Sequence, residues 1–224
     1  MKKRKFTTGS REVTLFSADS EDRPLIVLNN YDDDGSAVMN AIRELGGADL
    51  NLLCISGLDW NHDLAPWPYT PDFGNEEAFT GGGDEYLALM LSEILPKAKE
   101  MISGTAPRTC IAGYSLAGLF ALYTLYRCDA FDRAASMSGS LWFPGFKEYV
   151  HCQTLKKTPD KIYISLGDTE ERTTNPVLRT VRDVTENICS HYRDLDIDVT
   201  WELNRGNHFK GISRRIAKGI LSIL

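Results

Sequence analysis

Apolar residues recur along this chain in two rhythms. Short, nearly continuous runs at residues 25–28, 50–55, 109–112, 134–137 and 162–166 read as strands, several of them buried on both faces, and residues 199–203 read as the last strand. Between them, apolar positions fall at helical spacing: Val38, Ile42 and Leu45, then Leu87, Met90, Leu91 and Ile94. The same spacing returns at Leu119, Leu122, Tyr123 and Tyr126, at Val177, Val181, Val184 and Ile188, and at Ile212, Ile216 and Ile220. Residues 12–17 form a further strand near a sheet edge. Asn175-Pro176 opens a helix, with Asn175 as cap and Pro176 in the first turn. Strands alternating with helices predict an α/β fold: a mostly parallel sheet flanked by helices on both faces.

Residues 56–83 break the rhythm. They form the longest irregular segment, carrying Trp60, His62, Trp67 and Tyr69, and a loop this long in a compact domain is usually functional. Gly81-Gly82-Gly83-Asp84-Glu85 lacks the Lys-Ser/Thr of a phosphate loop and reads as a turn feeding the next helix.

Composition narrows the class. With 224 residues, 42% hydrophobic, and neither a linker nor an internal repeat, one domain over residues 1–224 is expected. A net charge of −6 argues against nucleic acid as a partner. Lys2-Lys3-Arg4-Lys5 reads as a solvated tail; no apolar segment follows it as in a signal peptide, and no stretch is long enough to span a membrane. The five cysteines, Cys54, Cys110, Cys128, Cys152 and Cys189, are odd in number and have no metal-ligand spacing. They read as buried, reduced thiols of a cytoplasmic protein with no metal site. Nothing in the sequence indicates an oligomeric state.

Three polar positions fall where strands end. The 109–112 run leads into Gly113-Tyr114-Ser115-Leu116-Ala117-Gly118 and then a helix. Strand, tight turn and helix are the setting of a nucleophile elbow, in which a strained serine requires small residues two before and two after it. Gly113 and Ala117 meet that need. The second position is the acid cluster Asp168, Glu170 and Glu171 after the 162–166 strand; the third is His208, after the last strand. Ser, acid and His in that order is the order of α/β hydrolases. His208 then serves as general base, with Glu170 as the orienting acid on its Gly167-x-x-Glu170 spacing. Asp168 is the alternative acid, and Glu171 is expected to face solvent. His151 and His191 are expected to be exposed. The oxyanion donors fall to the N–H of Leu116 and to the turn after residue 28, at Tyr31 or its neighbour.

With these residues the chain resembles the esterase family that includes siderophore (enterobactin-type) esterases, feruloyl esterases and S-formylglutathione hydrolase relatives. The resemblance rests on residues 24–34, Trp67-Pro68-Tyr69-Thr70-Pro71, Gly81 to Leu87, residues 113–120, 136–142 and 167–170, and Gly206 to Phe209. It implies an α/β-hydrolase fold, no cofactor, and Ser115, an acid and His208 as a triad. The sequence departs from the family at Ala117 and at Asn30-Tyr31, where His-Gly is usual.

The expected activity is hydrolysis of a small-molecule carboxylic ester through an acyl-enzyme. Acyl transfer by the same triad, or a binding module without turnover, are the alternatives. Trp142, Trp60 and His62 are expected to contact substrate, and Trp67, between two prolines, to pin the long loop.

Overall fold

The computed structural model describes residues 2–31, 33–72 and 77–224. Among these residues the strands are β1 (Lys2–Thr8), β2 (Arg11–Ser17), β3 (Leu25–Asn29), β4 (Asn51–Ser56), β5 (Pro68–Tyr69), β6 (Phe79–Thr80), β7 (Thr109–Tyr114), β8 (Arg133–Met137), β9 (Lys161–Gly167) and β10 (Asp198–Asn204). The helices are α1 (Ser36–Glu44), α2 (Trp60–Asp63), α3 (Gly83–Leu89), α4 (Leu95–Lys99), α5 (Leu116–Thr124), α6 (Phe146–Cys152), α7 (Val181–Asp194) and α8 (Ile212–Ser222). A π turn, Met90–Ile94, joins α3 to α4.

Eight strands make one sheet in the order β1-β2-β4-β3-β7-β8-β9-β10, while β5 and β6 pair with each other. From β4 to β10 every pairing is parallel, and β2 runs against both of its neighbours. The central strands β3 and β7 are buried along their whole length, as their apolar runs require. One face packs on α1 and α8 through Val38, Met39, Ile42, Ile216 and Ile220. The other carries a larger core with Tyr86, Phe120, Phe146, Ile188 and Tyr192 from α3, α5, α6 and α7. This is the α/β-hydrolase arrangement, and it sets the strand C-termini of β3, β7, β8, β9 and β10 along one edge.

Several expectations change. The N-terminal lysines are not a free tail: they are β1, the exposed edge strand, held by a continuous antiparallel register with β2. Charges on an edge strand discourage pairing with other chains. Lys3 and Lys5 also reach Asp34, at 2.6 and 3.1 Å. The long loop holds α2, β5 and β6, although its residues 73–76 lie outside the described residues. Helix α6 goes unpredicted, because only Phe146 and Val150 of its short span are buried. Cys54, Cys110 and Cys189 are buried free thiols, whereas Cys152 is exposed at the end of α6. Among the described residues, no helix is long and apolar enough to cross a membrane, and no group of three metal-ligating side chains occurs.

Candidate active site

Ser115 stands between β7 and α5 with φ 59° and ψ −125°, a conformation that L residues avoid. The turn survives because its surroundings fix it. Ser115 N donates to Met137 O at 3.0 Å, and Ser115 O accepts from Gly118 N and Ser140 N. Gly113 is required on steric grounds: a Cβ there would lie 2.1 Å from the Ala117 carbonyl oxygen. Ala117 therefore fits this elbow, and the bulk limit falls on Gly113.

His208 bridges the serine to the acid. Its Nδ1 donates to Glu170 Oε2 at 2.8 Å, which leaves Nε2 to accept from the Ser115 hydroxyl at 3.1 Å. The backbone of His208 is tied as well, its carbonyl accepting from Tyr114 OH at 2.6 Å. Asp168 takes no part in this line; its Oδ1 accepts from Gly206 N at 2.7 Å and closes the loop that carries His208. Glu171 pairs with Arg182 at 3.3 Å and is half-buried, not solvent-facing.

Glu170 folds back over its own turn. Gly167 N donates to Oε1 at 2.6 Å, and a Cβ at Gly167 would meet the Gly206 carbonyl oxygen at 2.2 Å. Glu170 Oε1 also accepts from Ser138 Oγ at 2.7 Å and from Arg215 at 3.2 Å. Burial alone would raise this carboxyl, but the hydrogen bonds from His208, Ser138 and Gly167 outweigh it and hold Glu170 below the ordinary carboxylate range.

Arg215, Ser138 and Tyr114 escape a reading from sequence alone. Arg215 is buried in α8, and its Nη1 also donates to Tyr114 OH at 3.1 Å and Ser138 Oγ at 3.2 Å. One signal was available: with Ile212 and Ile216, Arg215 lies on the apolar stripe of α8, where an unpaired cation would be costly. Ser138 adopts φ 47° just past β8, and no local motif marks that position.

The expected substrate contacts divide. Trp142 and Trp60 line a cleft of about 280 Å³ that opens on Ser115 and His208. His62 does not reach it: at the end of α2 it turns toward β6, with Nδ1 2.7 Å from Thr80 Oγ1, and its ring fills the space over Gly82. It braces the loop. Trp67 pins that loop as expected, donating to Pro144 O at 3.0 Å and packing on Phe143 and Tyr149. Leu116 begins α5, where helix geometry leaves its N–H without an intrahelical acceptor, beside Ser115. Tyr31 follows β3, exposed and edge-on to Trp60 at 5.0 Å; its neighbour Asp32 lies outside the described residues. His151 is exposed, whereas His191 is half-buried against it, their rings 4.3 Å apart.

Residues 54–191 match the Esterase family, described as "Putative esterase". The chain belongs to this family. The protein is 26% identical over 196 residues to a Bacillus subtilis (strain 168) protein called "Uncharacterized protein YbbA", covering 80% of this chain and 77% of that one. Its fold is similar to an IroE-like serine hydrolase from Shewanella oneidensis, with TM-score 0.79, 16% identity, and coverage of 98% of this chain and 78% of that one. It also matches the enterobactin esterase FES from Shigella flexneri at TM-score 0.72 and 18% identity; 99% of this chain is covered but only 58% of the longer enzyme. These likenesses establish the α/β-hydrolase fold.

Proposed function

We propose that the protein is a serine esterase that hydrolyses carboxylic esters through an acyl-enzyme. The observation that carries this reading is the unbroken line from Ser115 through His208 to Glu170, at 3.1 and 2.8 Å. His208 Nε2 takes the serine proton as Oγ attacks the ester carbonyl, and the imidazolium is stabilised by the Glu170 carboxylate. The tetrahedral oxyanion forms beside the N–H of Leu116, with the N–H of Tyr31 as the second donor. His208 then returns the proton to the leaving alcohol. Water, deprotonated by the same nitrogen, releases the acid and restores Ser115. The chemistry needs no cofactor.

The Trp142 cleft sets a preference within this reaction. Trp142, Phe79, Leu178 and Val181 offer aromatic and aliphatic walls beside Ser115, so aryl or medium-chain groups are held better than acetyl. The test is turnover of p-nitrophenyl butyrate by the native protein and by Ser115→Ala, with enterobactin and a feruloyl ester in the same panel. Native turnover with a loss of about 10⁴-fold or more in the variant supports the reading; equal rates refute it.

A further inference from the structure

The cleft holding Trp142 is not alone at Ser115. A second one, of about 340 Å³, opens on the same serine and on His208. Trp60 and Phe209 border both, but the remaining walls come from different parts of the sheet. Ser115 follows β7, which lies between β3 and β8. The Trp142 cleft is built past the end of β8, whereas Asn29 and Tyr31 of the second stand at the end of β3, with Ile212 from α8 closing it. The two clefts therefore leave the nucleophile on opposite flanks.

The second cleft has two chemical features. Its rim is apolar and unusually open to water: Phe209 is 79% exposed, Tyr31 69% and Ile212 37%. Uncovered apolar surface gathered around a cleft marks a place where ligand is buried. Below that rim lies a donor left without a partner among the described residues. Asn29 is 1% exposed, its Oδ1 accepts from Tyr86 OH at 2.5 Å, and its Nδ2 has no partner among the described residues. Other polar side chains lining this cleft are engaged, Tyr114 with His208 O and Asn30 with Asp33. A buried N–H left unpaired costs free energy that a ligand acceptor would recover.

We propose that this second cleft is a binding subsite for one arm of the substrate, an apolar group bearing a hydrogen-bond acceptor that meets Asn29. The Trp142 cleft takes the other arm. The substrate is then an ester with bulk on both sides of the scissile bond, not a methyl or acetyl ester. This inference rests on the esterase reading and goes beyond it by giving each arm its own walls.

Two ester series test it, one varying the acyl part at a fixed alcohol and the other the alcohol part at a fixed acyl group. For each, kcat/KM is measured with the native protein, Trp142→Ala, Ile212→Ala and Ile212→Trp. Both Ile212 variants should change size selectivity in one series only, by about tenfold and in opposite directions, since one widens the cleft and the other narrows it. Trp142→Ala should act on the other series. If both positions act on the same series, or Ile212 variants keep the native selectivity in both, the two-arm assignment is wrong. Within the Ile212 series, an ether placed against its methylene analogue reads the Asn29 donor: a preference for the ether of several-fold is expected, and equal rates remove that contact from the proposal. Fluorophosphonate labelling of the native protein runs alongside. Labelling and turnover with the wrong partition overturn the subsite alone, whereas neither labelling nor turnover overturns the esterase reading and the subsite with it.

Discussion

The buried Arg215 guanidinium lies 3.2 Å from Glu170 Oε1, the carboxylate oxygen that His208 leaves free. One oxygen of the acid is thus fixed from below by Arg215, Ser138 and Gly167, and the other is aimed at the imidazole. Both members of the pair are only 5% exposed in their side chains, so each depends on the other. Breaking such a pair strands a buried charge, which costs more than the pair contributes when intact. Arg215→Met should therefore lower stability by about 3 kcal/mol or more, read by denaturant unfolding. Arg215→Lys should lose less, because it keeps the charge while losing the planar guanidinium whose Nη1 reaches Tyr114, Ser138 and Glu170 and whose Nη2 reaches Arg205 O. Equal stability in all three proteins would contradict this account of the pair.

Glu170 and Asp168 make different contacts, so their amides should behave differently. Glu170→Gln removes the charge facing His208 and leaves the imidazole tautomer unheld; turnover should fall by about 10³-fold or more. Asp168→Asn keeps an oxygen for Gly206 N and should retain most activity. The reverse ranking in kcat for the two variants would move the orienting role to Asp168.

The same carboxylate links stability to pH. Its folded value lies below the ordinary one, so its contribution is fully present above the unfolded-state value and is lost as pH falls through the folded value. The stability gap between the native protein and Glu170→Gln should therefore be widest near neutrality and narrow below about pH 4. Urea unfolding at several pH values measures it, and a gap independent of pH would contradict the depressed value.

At the elbow, bulk should matter at one position and hardly at the other. Gly113→Ala would drive a methyl against the Ala117 carbonyl at 2.1 Å, within the fully buried end of β7. That variant should fold poorly or lose the Ser115 conformation. Ala117→Gly meets no clash and should cost about 1 kcal/mol, the usual penalty of a helical glycine. Thermal unfolding of the two variants distinguishes them, and equal stabilities would sink this reading of the turn.

How far the sequence reaches depends on what each element needs. Strands β3, β4, β7 and β9 are legible because burial on both faces demands apolar runs, and α1, α7 and α8 because one-sided burial demands a stripe. The edge strand β1 needs neither: its hydrogen bonds to β2 do not depend on side-chain type, so Lys2-Lys3-Arg4-Lys5 looks like a tail. Ser115, His208 and Glu170 are legible through the strand ends that carry them. Arg215 sits inside a helix and not at a strand end, and Ser138 depends on a backbone angle rather than a motif. His62 carried the right chemistry in the right loop, but α2 turns it toward Thr80. Asn29 is hidden for another reason, since an unpaired donor is a property of its neighbours and not of its own segment.

The most direct test of the central claim is covalent. Native protein and Ser115→Ala are treated with a fluorophosphonate, and the site of modification is located by peptide mass spectrometry. A nucleophile activated by His208 should be modified stoichiometrically at Ser115, with no label on Ser115→Ala and much slower labelling when His208 is replaced by Ala. A folded native protein that stays unlabelled, or one labelled at another residue at the same rate in the Ser115→Ala variant, would contradict it.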